Sequence, residues 1–530
     1  MSLAISAVFL DKITVIMLIL LPVFILMTTS FILVLLKLLR PGFRFHWLIA
    51  TSGALLALIV VILWQLYLPQ TFSLPAWQPQ TIFLYTPTWL TDKYSWPYAL
   101  SLTSLALAVI LTAVTRKLSN PWNWAGILFI VSIGLLAISA DNPLTLVIAW
   151  LALDFAELVT LLRSVKAEKS EDIVVAFSVR LGGVFLLLWA SIISISSGLP
   201  LNFRAIPDNA GILLLLAVGL RLGVLPLHLP TKEIDFRRGM ITTLRLVSAA
   251  SGLSLLTRLP LNPVPSNLLP YLLLLTGLFS IIGGWIWLVS PDELNGRPFW
   301  ILSLGSLSIS AALFGNSSGS VAWGTILILS GGLLFIYSSR KRSNYWIPVL
   351  SMWGLSALPF SPTASVWINQ TTGNILLMIP LIIGHSLILA GFFRHAITHH
   401  GDIEIGSDPR WIQVIYHIGL SVLPIMIMVL GLWGWYKARA IGSWWISAIT
   451  LILSVLLFYL YNRLIKPSQI IKLKTPSGKV NIISSGFWAI YRFIRQVITL
   501  LTSILEGDGG MLWSIVLLVL FISLITQATR

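Results

Sequence analysis

The feature that most constrains this chain is a series of apolar stretches, each about 17–25 residues long, separated by short polar connections. They lie near 13–37, 47–66, 97–115, 122–140, 143–163, 172–196, 210–229, 240–257, 268–290, 299–315, 321–339, 344–368, 373–394, 413–436, 442–461 and 511–527. As a helix rising about 1.5 Å per residue, each is long enough for roughly 30 Å of hydrocarbon. Strand barrels alternate apolar and polar residues; these runs are continuous, so a barrel is excluded. No connection is long enough for an ordinary soluble domain. The expected fold class is an all-α polytopic membrane protein with about 14–16 transmembrane helices.

Composition agrees. Only 10% of the 530 residues are charged and 57% are hydrophobic, against about 25% charged in a soluble domain. The net charge of +16 reads as basic cytoplasmic loops and not as a nucleic-acid surface. Absence of cysteine excludes disulfides, thiolate metal sites and cysteine-held iron–sulfur clusters. Met1 to Lys12 carries one late lysine and no small-residue cleavage site, which predicts no removed signal peptide.

Loop charge sets the expected orientation. When the runs are numbered in order, one side collects Lys37, Arg40, Arg116, Lys166, Arg237, Arg238, Arg297, Arg340, Arg394 and their basic neighbours; the other collects only Lys93, Arg204, Arg258, Lys437 and Arg439. The rich side is expected in the cytoplasm, with both termini outside. Residues 463–483, basic and containing Pro467 and Pro476, read as a cytoplasmic linker. Residues 484–506 mix Arg492, Arg495 and Gln496 with aromatics and aliphatics, the pattern of an amphipathic helix along the interface, or of a hairpin packed on its own chain.

Ionisable residues inside the spans need a physical reason, since each costs roughly 2.5–3.5 kcal/mol on insertion scales. The fifth run holds Asp154 and Glu157, three apart and so on one face. Arg180 follows in the sixth run, Arg221 with Pro226, His228 and Pro230 in the seventh, and Arg245 in the eighth. Two acids and three arginines at similar depth can form one neutralising network; alternatively Arg180 and Arg245 snorkel to the interface. Pro226 and Pro230 remove backbone donors and are expected either to break the seventh helix around a buried polar cavity or simply to end it. The later runs are drier: His385, in the thirteenth, is their one deep ionisable residue. His395 and His399 have i, i+4 ligand spacing with no third ligand placed by sequence, so a solvated patch is preferred to a metal site. No nucleotide, haem or flavin motif is present, and no nucleophile–base pair, so no cofactor and no enzyme acting alone is expected.

Taken together, Arg221-Leu-Gly-Val-Leu-Pro226-Leu-His228, Asp141-Asn-Pro through Trp150, Gly252 with Arg258, Pro291-Asp292, Leu358-Pro359 and Phe392-Phe393-Arg394 resemble, in the same order, the antiporter-like subunits of complex I, NADH dehydrogenase-like complexes and Mrp-type cation/proton antiporters. The resemblance spans roughly residues 75–460. It implies two inverted five-helix repeats with broken helices at Pro226, Pro230 and Pro359, over 122–258 and 268–394. Around them it implies N-terminal helices in 1–115, two more helices in 413–461, the linker 463–483, the lateral helix 484–506 and a final span 511–527. It also implies partners: other membrane subunits of a hetero-oligomeric complex, lipid, and room for a soluble protein on the cytoplasmic face, with no nucleic acid. Redox chemistry of a NADH or ferredoxin:quinone oxidoreductase would belong to other subunits.

The sequence departs from that family at most proton-relay positions. Leu151, not Glu, follows Trp150, with Asp154 one turn further on as a substitute on the same face. Arg221 stands for the usual Lys, Ala250 for another, apolar residues around Leu327 and Gly331 for the helix-eleven set, and Trp367 for the helix-twelve Lys or Glu. Lys can be driven neutral by burial, whereas Arg stays protonated and cannot hand a proton on. The leading expectation is an antiporter-like subunit whose proton path is impaired or rebuilt. The alternatives are an active proton- or cation-translocating subunit that uses Asp154, Glu157, His228 and His385, and an unrelated polytopic small-solute transporter.

Overall fold

The computed structural model describes residues 2–75, 85–115, 120–164, 170–223, 237–260, 263–337, 345–367, 375–397, 409–434 and 444–464, with the single positions 492, 496, 515 and 519. Fifteen α-helices run through these segments. They are α1 (Ser2–Leu39), α2 (His46–Trp64), α3 (Ser95–Thr112), α4 (Pro121–Ser139), α5 (Pro143–Ser164), α6 (Ser170–Ser196), α7 (Asp208–Arg221) and α8 (Met240–Leu256), then α9 (Leu269–Val289), α10 (Glu293–Leu313), α11 (Ser317–Ile336), α12 (Trp346–Leu355), α13 (Ile375–Ile397), α14 (Arg410–Trp433) and α15 (Trp444–Leu464). Among the described residues, eleven helices are long and apolar enough to cross a membrane, so the chain is an integral, multi-pass membrane protein. Each corresponds to one of the apolar runs. Pro226, His228, Pro230 and His399, the lateral segment 484–506 and the run 511–527 fall outside the described residues or touch them only at isolated positions.

Three differences from the apolar pattern have local causes. The run 344–368 is not one helix: α12 stops at Leu355, and Ala357 and Phe360 adopt φ of 55° and 63°. Pro359 sits in this break, where it lacks an N–H and disfavours helical geometry at Leu358; a short 3-10 turn, Pro362–Ser365, follows. Helix α10 starts at Glu293, earlier than its apolar run, because the Asp292 carboxylate accepts the Asn295 N–H at 2.6 Å and caps a polar first turn. An antiparallel two-stranded hairpin, β1 (Gln70–Ser73) and β2 (Thr88–Thr91), pairs Gln70 with Thr91 and Ser73 with Thr88. Its Trp89 bridges to Ala140 at the end of α4.

Helices α3 and α11 form the centre and are almost wholly enclosed, whereas α15 is mostly exposed. Outer helices present Phe24, Phe31, Phe155, Phe185, Ile192 and Ile452 outward, an apolar belt suited to lipid. With lipid as apolar as the core, close van der Waals packing must hold helices together, and small residues permit it. Helix α13 meets α9 in this way: a Cβ on Gly384 would lie 2.1 Å from Ser280 Oγ, and one on Gly284 would lie 3.1 Å from the Gly384 carbonyl.

The order of helix neighbours recurs. In α4–α8 successive helices pack on one another and α4 also packs on α8; in α9–α13 successive helices pack likewise and α9 packs on α13. An arginine closes each set. Just after α8, Arg258 donates to the carbonyls of Ile138 at 3.3 Å and Ala140 at the end of α4, and to Leu90 at 3.0 Å. At the end of α13, Arg394 donates to the carbonyls of Leu288 and, at 2.7 Å, Ser290 at the end of α9. In both cases a guanidinium satisfies carbonyls that the helix terminus leaves without intrahelical partners.

Candidate functional site

Helix α5 turns Trp150, Asp154 and Glu157 inward and leaves Leu151 and Phe155 outward, as a 3.6-residue period requires. Asp154 is 1% exposed and Leu151 41%. The two are therefore not equivalent positions on one face; Asp154 follows Trp150 by four residues and belongs with it. The substitution inferred from sequence thus places the acid deeper in the protein than Leu151.

Arg221, the last residue of α7, is fully buried and bonds Asp154 Oδ1 through Nη1. Its guanidinium lies 5.0 Å from the centre of the Trp150 ring, while Nη2 reaches the Trp150 carbonyl and Nε reaches Ser251 Oγ, both at 3.4 Å. Gly252 on α8 makes the fit possible: a Cβ there would lie 3.1 Å from Arg221 Cγ. Arg180 on α6 binds Glu157 Oε2 through Nη1, which is also 3.9 Å from Asp154 Oδ1. Asp154 is therefore shared by two cations.

Arg245 on α8 behaves differently. Its Nη1 donates to the Gly223 carbonyl at 2.5 Å, just past the end of α7. Gly223 has φ +66°, a conformation side chains rarely adopt, and a Cβ there would lie 2.8 Å from Arg245 Nη1 and 3.3 Å from Arg180 Nη2. No carboxylate among the described residues is within salt-bridge distance of Arg245. Asp154, Glu157, Arg180, Arg221 and Arg245 therefore do come together, and none of the arginines snorkels outward, but the charges do not cancel: three cations face two acids. Several polar atoms in the cluster, including Asp154 Oδ2, Glu157 Oε1, Arg180 Nε and Arg180 Nη2, are buried with no protein hydrogen-bond partner.

The second set of helices holds one imidazole in a comparable place. His385 on α13 is fully buried, and its Nε2 lies 2.7 Å from the carbonyl of Leu355, the residue at which α12 breaks. The carbonyl fixes the proton on Nε2. Trp323 meets the ring edge-on at 4.8 Å, and Trp367 lies 6.1 Å away. At the remaining relay positions Ala250, Leu327 and Trp367 are buried. Gly331 has its space taken by Trp300, whose Nε1 would lie 2.4 Å from an added Cβ.

A further cluster was not visible in the sequence, where its cations counted as loop charge. Arg238 pairs with Glu293 at 3.0 Å and donates to the Phe335 carbonyl at 3.1 Å. Arg297, 4% exposed, donates from Nη1 to Thr242 Oγ1 at 2.9 Å and to the Arg237 carbonyl at 3.0 Å. Glu293 and Arg297 are thus buried ionisable groups in the second set besides His385. The available signal was the cap: Asp292 followed by Glu293 marks a helix start, so residues read as a loop belong to a helix. His395 is not part of a solvated patch: it is buried against Trp287, with Nε2 2.9 Å from the Trp287 carbonyl, and no group of three or more metal-ligating side chains occurs among the described residues.

No family model matches the sequence, and no curated protein does. Solved structures do match. A chain of the Mrp complex from Dietzia sp. DQ12-45-1b superposes with TM-score 0.68 at 13% identity, covering 97% of this chain and 63% of that one, so the present chain spans under two thirds of that relative. A chain of the membrane-bound sulfane sulfur reductase, an archaeal respiratory membrane complex, gives TM-score 0.62 at 15% identity over 94% of this chain and 99% of the other. A chain of respiratory complex I from Thermus thermophilus gives 0.59 at 17% identity over 79% and 99%. The chain thus has the fold of membrane subunits found in an Mrp complex, an archaeal respiratory complex and complex I.

Proposed function

We propose that this chain is an antiporter-like membrane subunit of a multi-subunit assembly, with an ion path interrupted at the positions where its relatives by fold would need mobile protons. The observation that carries this reading is the state of α7: Arg221, a permanent cation, ends the helix and is held by Asp154, Trp150 and Ser251. A proton cannot hop through a group that never releases one. Beyond it, His385 has one nitrogen engaged by Leu355 and is flanked by two tryptophans. The fold shared with chains of three multi-subunit complexes supports other membrane subunits as partners. Five-helix units inserted in opposite senses, basic loops in the cytoplasm and termini outside complete the picture, in a bacterial plasma or thylakoid membrane, with lipid around the belt and a soluble partner accommodated on the basic face.

Two measurements test this. Purification in mild detergent should bring down other membrane subunits, identified by mass spectrometry; a homogeneous lone chain counts against the assembly. In liposomes loaded with a pH-sensitive dye, the isolated chain should pass no uncoupler-sensitive proton flux above empty vesicles, and robust flux overturns the interrupted path. The unpaired oxygens Asp154 Oδ2 and Glu157 Oε1 favour a second reading, active translocation through Asp154, Glu157, His228 and His385. On that reading Asp154→Asn abolishes coupled transport in the intact assembly; on the first reading transport is unchanged.

A further inference from the structure

Among the described residues of these two neighbouring clusters, buried arginines outnumber buried acids. Asp154 serves both Arg221 and Arg180, Glu157 serves Arg180, and Glu293 serves Arg238. Arg245 is near enough to both Arg180 and Arg297 to repel them, and neither it nor Arg297 has a carboxylate at salt-bridge distance among the described residues. Arg245 is 6% exposed, Arg180 2% and Arg297 4%. Burying charge without a counter-charge is strongly unfavourable, and a guanidinium cannot relieve it by losing its proton.

The geometry around Gly223 suggests how the imbalance is met. Arg245 Nη1 and Arg180 Nη2 both come within 3.3 Å of the point a Cβ on Gly223 would occupy. Arg180 Nη2 and Nε have no protein acceptor, and the Gly223 carbonyl is the one acceptor Arg245 has among the described residues. Two guanidiniums with spare donors thus converge over a residue that has no side chain.

We infer that Arg180 and Arg245, at Gly223, form a buried site for a small monovalent anion of the halide, nitrate or bicarbonate class, with Arg297 adding favourable potential. Enclosure excludes a partner's side chain or a lipid phosphate, whose bulk cannot reach guanidiniums this buried. Single charge follows from the count: the cluster of Asp154, Glu157, Arg180, Arg221 and Arg245 carries one excess positive charge, and Glu157 beside Arg180 disfavours a divalent ion. The inference rests on charge and packing alone, so it stands or falls independently of the interrupted proton path and of which subunits join the chain.

The test is thermal unfolding of the full purified chain in mild detergent at constant ionic strength, with gluconate, too large to enter, replaced stepwise by chloride, nitrate or bicarbonate. Ligand linkage predicts a saturable rise in Tm with each small anion. Arg245→Gln should abolish the rise and, with the excess charge gone, unfold in gluconate no earlier than the parent. Arg297→Gln should keep the rise but shift its midpoint several-fold to higher anion concentration. Equal Tm in gluconate and chloride overturns the inference, as does an undiminished anion response in Arg245→Gln. Should that variant not fold, bromide replaces chloride for the parent chain and its position is read by anomalous scattering: density between Arg180 and Arg245 at Gly223 supports the site, and bromide absent from that position overturns it.

Discussion

In α4–α8 helix α7 ends on a guanidinium, and the carbonyl beyond its end is bound by another, Arg245 to Gly223. In α9–α13 the broken helix α12 ends on a carbonyl that meets an imidazole, Leu355 to His385. A helix end inside the membrane leaves backbone carbonyls that lipid cannot satisfy, so some side chain must supply a donor. One unit does so with fixed charge and therefore needs Asp154 and Glu157 nearby; the other does so with an imidazole flanked by tryptophans. The same architectural demand is met by guanidiniums in one set of helices and by an imidazole in the other. The guanidinium solution brings a fixed electrostatic field with it.

The comparison breaks most sharply if the charges of the first unit prove dispensable. Arg221→Leu leaves Asp154 buried without its closest cation, and should lower unfolding stability in detergent by about 3–5 kcal/mol. The double variant Arg221→Gln with Asp154→Asn should recover most of that loss; if it does not, the pair is not coupled. Next come the two closing arginines. Arg258→Gln and Arg394→Gln should each cost at least roughly 1.5–3 kcal/mol in thermal unfolding, the worth of one charged hydrogen bond; a negligible loss in one of them would end the correspondence between the units. At the end of α12, His385→Phe leaves the Leu355 carbonyl unpaired and should cost about 1–3 kcal/mol, less than Arg221→Leu, whereas His385→Gln should keep much of the stability. The smallest effect concerns His395: with Nε2 against the Trp287 carbonyl, added zinc should leave Tm unchanged, and a saturable rise would place a metal there.

Much of the architecture was legible because lipid allows so few solutions. Each apolar run from 13–37 through 442–461 has its helix, and the inward face of α5 followed from the spacing of Asp154 and Glu157. The destination of long side chains was not legible. Arg245 reads as one more member of an ion-pair network, yet it reaches backbone, the carbonyl of Gly223 just past the end of α7. Glu293 and Arg297 read as loop residues because their polar first turn hides a helix capped by Asp292. The β1–β2 hairpin had no signal, being two strands of four residues each.

By itself the sequence determined that the chain crosses a membrane many times, where most helices begin and end, and that a permanent cation stands at position 221, because hydrocarbon length and guanidinium basicity are properties of residues taken singly. Only the tertiary structure decided which acid faces which arginine, that Arg258 and Arg394 tie their helix sets shut, and that Arg245 is left without a carboxylate. Those are matters of a few ångströms between helices far apart in the chain, set by glycines such as Gly223, Gly252 and Gly384 that let backbones and long side chains come close.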